Sequence, residues 1–211
     1  MKTALIVGGT GLIGKHLATL LLADDRYSKL ILLVRKPIDL KHDKLEQVAF
    51  NFDYPNRSVI VADEIYCCLG TTIKTAGSKD AFFKVDHEYV SMIAKIGHEN
   101  GTKRFALVSA MGANKNSTVF YNKVKGQVEE AVSQTGFDAC FIFRPSLLLG
   151  QRNEFRLGER IAAFFMTTFS FAIPQKYKAI EAKQVAKAMI VSMNTGKKGL
   201  HIIESDEIAA M

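Results

Sequence analysis

Short, almost unbroken apolar runs recur along the chain at Ala4–Val7, Leu30–Val34, Val48–Phe50, Ile65–Leu69, Phe105–Val108, Ala139–Phe143 and Leu200–Ile203. They are rich in Val, Ile, Leu and Phe and lack the alternation of a half-exposed strand. Such runs predict strands covered on both faces, as in a parallel sheet. Between them the apolar spacing changes to three and four. Leu12, Ile13, Leu17, Leu20 and Leu21 form one helical seam. Phe82, Val85, Tyr89, Met92, Ile93 and Ile96 form a second, closed by Asn100-Gly101 as a C-cap. Val124, Val128, Ala131 and Val132 mark a third, ending near Gly136. Val185, Met189, Ile190 and Met193 mark a fourth, ending near Gly196. The alternation predicts an α/β fold, a Rossmann-like doubly wound parallel sheet with right-handed crossovers. Residues 35–47 are polar and charged and predict a loop with a short helix.

The rhythm breaks over 150–178. Arg152, Arg156 and Arg160 precede a cluster of Ile161, Phe164, Phe165, Met166, Phe169 and Phe171. This segment reads as a small substrate-side insertion in a single domain spanning 1–211. It fits an amphipathic helix packed on the sheet, a lid, a self-association face in a homodimer, or a weak membrane contact.

The first strand runs directly into Gly8, Gly9, Gly11 and Gly14 and then into the first helix. That order is what a dinucleotide needs. The backbone turns sharply with no Cβ between it and a pyrophosphate, and the helix N-terminus aims free N–H groups at the phosphates. At the end of the second strand, where an NAD-specific site usually holds an acid for the ribose 2′-hydroxyl, this chain has Arg35-Lys36. A guanidinium matches a 2′-phosphate, so NADP is expected rather than NAD.

Net charge is +7, but the Lys and Arg residues are dispersed, without a basic tail, and no nucleic-acid partner is expected. Cys67, Cys68 and Cys140 all fall in predicted strands with no metal spacing, and the five histidines are scattered. No metal site is expected. The thiols read as reduced core residues of a cytoplasmic protein. No run reaches the ~18 apolar residues of a membrane span, and no signal peptide precedes the first strand. Asp53, after the third strand, reads equally as an adenine neighbour and as an exposed loop carboxylate.

Tyr121-Asn-Lys-Val-Lys125 opens the third predicted helix and puts a phenol and an ammonium on one face. A phenol titrating near ~10 is a poor acid–base at neutrality unless a cation favours its ionised form. Ser109, at the end of the fifth predicted strand, offers a hydroxyl for the same substrate oxygen. Glycine loop, strand-end serine and Tyr-x-x-x-Lys in this order predict a small-molecule redox site with Tyr121, Lys125 and Ser109 as catalytic residues.

These segments, with Cys68-Leu-Gly-Thr-Thr72, Phe83-Lys-Val-Asp-His-Glu-Tyr-Val90, Val108-Ser-Ala-Met-Gly-Ala113 and Arg144-Pro-Ser-Leu-Leu-Leu-Gly150, make the chain resemble the short-chain dehydrogenase/reductase superfamily. The resemblance is to its atypical NAD(P)H-binding branch, which includes Tat-interactive-protein oxidoreductases and bacterial nucleoside-diphosphate-sugar epimerase-like proteins. It covers nearly the whole chain. It implies that Gly8, Thr10, Gly11, Leu12, Ile13 and Gly14 cradle the pyrophosphate and that Arg35, with Lys36, meets the 2′-phosphate. It further implies that Leu69, Gly70 and Thr71 line the cofactor and that Pro145 and Leu147 flank the nicotinamide. Tyr121 is then the acid–base and Ser109 its partner, while Lys125 holds the nicotinamide ribose. Related sequences often carry a second serine where this chain has Ala110. A substrate domain of sugar-epimerase size is not expected in the about sixty residues after Gly150. Two functions fit: hydride transfer to or from a small carbonyl or alcohol, and a non-enzymatic NADPH-sensing scaffold that needs Arg35 but not Tyr121.

Overall fold

The computed structural model describes residues 1–149 and 174–211. β1 (Lys2–Val7) buries Ala4, Leu5, Ile6 and Val7 completely and feeds α1 (Leu12–Leu22). β2 (Tyr27–Val34), β3 (Leu45–Ala49) and β4 (Glu64–Cys67) follow. Two short helices, α2 (Ile73–Ala76) and α3 (Lys79–Phe83), lead through a π-helical turn at Lys84–Glu88 into α4 (Tyr89–Glu99). Next come β5 (Arg104–Val108), α5 (Phe120–Ser133), β6 (Ala139–Arg144) and β7 (Leu148–Leu149). After the undescribed stretch the elements are β8 (Ile180–Glu181), α6 (Ala182–Met193), β9 (Gly199–Glu204) and α7 (Ser205–Ala209).

Seven strands form one sheet in the order β3-β2-β1-β4-β5-β6-β9, with every pairing parallel. The order reverses between β1 and β4, so a crevice opens there at the carboxyl ends of the strands. β7 and β8 pair separately. One face of the sheet packs α1 and α6 through Leu17, Leu21, Val185, Met189 and Met193. The other packs α4 and α5 through Val90, Ile93, Val128 and Val132. All seven apolar runs are strands of this sheet, and the four seams are helices.

Three local expectations change. Residues 35–44 contain no helix; instead Gln47 of β3 ties them down, accepting from the Ile38 N–H and donating to the Ile38 and Leu40 carbonyls. β4 ends at Cys67, because the Cys68 N–H makes the last ladder bond, to Val7, and the chain then passes beneath Gly8. Cys67 and Cys140 are buried as expected, whereas Cys68 is only partly covered. Burial pushes the Cys67 and Cys140 thiols up to about 12.

The amino ends of the strands close over a buried polar cluster. The Glu64 carboxylate, 1% exposed, accepts from Tyr27 (2.7 Å), Tyr66 (2.9 Å) and Lys2 (2.6 Å). Asn194, the C-cap of α6, donates to the Tyr27 hydroxyl and accepts from Lys2. Every polar atom of the carboxylate is satisfied, which a buried charge requires.

Candidate active site

At the opposite, carboxyl end, the chain leaves β1 through Gly8, which has a positive φ of 81°. A Cβ there would come within 2.6 Å of the Cys68 carbonyl, so only glycine permits this approach. A Cβ at Gly14 would strike the Gly8 carbonyl, and Gly11 lies over the same oxygen, donating to it at 3.0 Å. α1 starts with Gly11 as N-cap, with no side-chain cap and no acidic residue in its first turn. Its first N–H groups are therefore left for an anion, with the positive end of the helix dipole behind them. A cradle that admits no Cβ and an uncapped helix end fit a dinucleotide pyrophosphate.

Beyond the cradle lies a cavity of about 530 Å³. It gathers Thr10, Gly11, Leu12 and Ile13 from the first turn, Leu69, Gly70 and Thr71 after β4, Ser109 after β5, Tyr121 and Lys125 from α5, and Pro145 and Leu147 after β6. Gly8 and Gly14 shape the turn beneath without lining the space. Arg35 and Lys36 stand exposed beyond β2, away from this cavity. Asp53 is an exposed carboxylate. It pairs with Lys84 at 2.6 Å and accepts from Tyr89 at 2.7 Å, and both contacts hold its carboxyl below its ordinary range. Of the 150–178 segment, residues 150–173 lie outside the described residues.

The spacing of four places Tyr121 and Lys125 on the same face of α5, with the Tyr121 ring against Phe82 at 5.5 Å between centroids. Lys125 has a partner that the sequence reading did not assign. Its ammonium lies 2.7 Å from Asp86, with 6% and 0% of the two side chains exposed. Asp86 also accepts the Thr71 N–H at 2.8 Å. Burial pulls the Lys125 pKa down, but the charge of Asp86, helped by Tyr121, more than offsets it, and the net direction is upward. Gly70 sits directly over this pair; a Cβ there would be 3.2 Å from Asp86. The missing side chain leaves the ion pair open to the cavity. Asp86 occupies the π-helical turn, a distortion common at functional sites.

Ser109 is engaged as well. Its hydroxyl donates to Glu129 at 2.5 Å. Glu129 is held by Arg144 through Nε (3.0 Å) and Nη2 (2.6 Å), and Arg144 also donates to Glu204 at 2.9 Å. These contacts, chiefly that with Glu129, raise the Arg144 pKa against the effect of burial. Tyr121, Lys125 and Glu129 are spaced by four, so the same helical periodicity extended by one turn points to Glu129. Asp86 gives no such signal, since its position depends on the π-helical turn.

Among the described residues no group of three or more potential ligands could hold a metal ion, and no helix is long and apolar enough to cross a membrane. A family model described as NAD(P)H-binding matches residues 8–195. The rat (Rattus norvegicus) protein HTATIP2 is 31% identical, over 98% of this chain and 88% of its own length. The Eremothecium gossypii protein FMP52, mitochondrial, is 30% identical, over 99% of this chain and 96% of its own. Among solved structures, MoeE5 in complex with UDP-glucose and NAD superposes with a TM-score of 0.75 at 12% identity, covering 99% of this chain and 80% of that one. That likeness establishes the fold. The cytoplasmic expectation is corrected: FMP52 relatives from several fungi are named mitochondrial. Reduced buried thiols, on which that expectation rested, do not distinguish one reducing compartment from another.

Proposed function

Since this chain belongs to the NAD(P)H-binding family, we propose that it is an NADP-dependent oxidoreductase acting on a small carbonyl or alcohol, with Tyr121 as the acid–base. The observation that carries this reading is a single cavity that holds Tyr121, Lys125 and Ser109 beside the glycine cradle. A bound reduced nicotinamide supplies the hydride that becomes the new C–H bond at the substrate carbon. Tyr121 gives its hydroxyl proton to the carbonyl oxygen, and water reprotonates the phenolate. In the reverse direction the phenolate takes the alcohol proton, and an oxidised nicotinamide would take the hydride. Lys125 holds the nicotinamide ribose, and Asp86 keeps the Lys125 ammonium charged and in place despite its burial. Arg35 and Lys36 meet the 2′-phosphate outside the cavity, as their exposure allows. Pro145 and Leu147 give the nicotinamide an apolar wall, and Leu69, Gly70 and Thr71 line the opposite side.

A second reading, an NADPH-sensing scaffold without turnover, draws on the engagement of Ser109 with Glu129 and of Lys125 with Asp86. Tyr121→Phe separates the two. It removes one hydroxyl and leaves the helix, so NADPH should raise the melting temperature as in the wild type. NADPH oxidation with a responsive aldehyde or ketone should fall by ~10²–10⁴. If the wild type oxidises no NADPH across a panel of aldehydes, ketones and quinones while NADPH still stabilises it, the scaffold reading holds.

A further inference from the structure

The direction of one hydrogen bond constrains what the cavity accepts. Glu129 is 6% exposed and is gripped by Arg144 through two nitrogens. A carboxylate so held is an acceptor only. The 2.5 Å contact therefore takes the single proton of the Ser109 hydroxyl. The Ser109 N–H is also used, donating to the Phe143 carbonyl at 2.8 Å. Ser109 nonetheless lines the cavity beside Tyr121 and Pro145. What remains for a ligand is the acceptor capacity of its Oγ.

A carbonyl oxygen is itself an acceptor and gains nothing from such a group. Turning the Ser109 proton toward it would break a charge-assisted bond to a buried carboxylate, and those bonds are roughly twice as strong as neutral ones. We propose that Ser109 reads a hydrogen-bond donor on the carbon next to the reacting carbonyl, and that the substrate class is α-hydroxy or α-amino carbonyl compounds. Glu129 is the positioning residue that fixes this polarity, backed by Arg144 and Glu204. The reacting oxygen is left to Tyr121. The inference rests on the oxidoreductase reading above and assigns Ser109 a role in specificity.

The test pairs hydroxyacetone with acetone in NADPH oxidation by the wild type, Ser109→Ala and Glu129→Gln. The α-hydroxyl also activates its carbonyl, so the quantity read is how the preference changes between proteins. One neutral hydrogen bond is worth ~1 kcal/mol or slightly more, so the preference for hydroxyacetone in kcat/KM should be about tenfold larger in the wild type than in Ser109→Ala. The preference that Ser109→Ala keeps is the intrinsic reactivity of the hydroxyacetone carbonyl. Glu129→Gln should narrow the ratio by releasing the Ser109 proton; where that variant does not fold, Ser109→Ala decides. Proton NMR gives a readout without turnover: an exchange-protected hydroxyl proton assigned to Ser109, absent in Ser109→Ala. The same hydroxyacetone preference in the wild type and in Ser109→Ala, or no protected Ser109 proton, overturns the proposal and leaves hydride transfer intact. If no carbonyl oxidises NADPH, the oxidoreductase reading fails. The dissociation constants of the same two carbonyls from the NADPH-loaded protein, read by cofactor fluorescence, then decide the polarity of Ser109 on the same tenfold criterion.

Discussion

Two carboxylates are buried at opposite ends of the sheet, each paired with a lysine, and their surroundings differ. Glu64, at the amino ends of the strands, is closed in by Tyr27, Tyr66 and Lys2, and the Lys2 side chain is still 38% exposed. Asp86, at the carboxyl ends, has one lysine and one backbone N–H, and both members of the pair are buried where Gly70 opens them to the cavity. The first cluster shares its charge among several donors, and none of them lines the cavity. The second concentrates it on one contact beside the site. At Glu64 the hydrogen bonding is spread and closed, whereas at Asp86 the charge rests on one pair beside the candidate site.

The largest expected effect comes from removing one partner at each end. Lys125→Met removes the cation beside the buried Asp86, and breaking such a pair costs about 3–5 kcal/mol. Glu64→Gln keeps an acceptor for both tyrosines and lets Lys2 turn to solvent, so about 1–2 kcal/mol is expected. Urea unfolding midpoints at constant m measure both. NADPH should still stabilise Glu64→Gln fully and Lys125→Met weakly. Equal losses of stability, or equal responses to NADPH, would break the contrast.

A smaller effect appears in alkali. Burial, with the charge of Glu64, raises the Tyr66 pKa well above its ordinary 10 and that of Tyr27 likewise. A group whose folded pKa is raised lends stability that is complete below its unfolded value and is lost as pH climbs toward the folded one. Stability should thus fall above about pH 10, by up to ~1.4 kcal/mol per pH unit for each phenol. Cys67 and Cys140, pushed up to about 12 from 9.0, add to the decline from lower pH. Tyr27→Phe should flatten the slope by one proton. A Tyr27→Phe slope equal to that of the wild type would show that the closed end does not hold its phenols protonated.

Most of the fold was legible because its signals are local. A strand buried on both faces needs an unbroken apolar run, and a helix packed on a sheet needs a seam at three and four; β1, β5 and α4 carry both patterns in plain sight. The glycine cradle was legible for the same reason, since Gly14 is demanded by the Gly8 backbone within one turn and Gly8 by its own positive φ; the approach of Gly8 to Cys68 is long-range. Asp86 was not assigned because its meaning is non-local, and the spacing of four that reaches Glu129 does not say what Glu129 binds. Asp86 meets Lys125 across 39 positions of the chain, and Glu129 matters through Ser109 and Arg144 on neighbouring strands. Residues 35–44 misled for a related reason: their polarity suggested a helix-bearing loop, while the bonds that order them come from Gln47 on β3.

The smallest expected effect tests the contrast within a single strand. β2 begins at Tyr27, inside the closed cluster, and ends at Val34, with Arg35 exposed just beyond. If the two ends differ in kind, substitutions a few residues apart should act on different observables. Arg35→Asp removes a guanidinium that solvent already surrounds, so unfolding by urea should change by no more than about 0.5 kcal/mol. Its effect should fall on the cofactor. A screened, exposed contact to a 2′-phosphate is worth about tenfold in affinity at low salt, less as salt rises, and an aspartate there also repels the phosphate. NADPH should therefore lose about tenfold in affinity and NADH little, bringing the two dissociation constants together. Titrating both cofactors at two salt concentrations separates this from a general loss of charge. A wild type that binds NADH as tightly as NADPH would remove Arg35 from the candidate site. A variant that weakens both cofactors equally would show that Arg35 acts on the phosphate cradle as a whole and not on the 2′-phosphate.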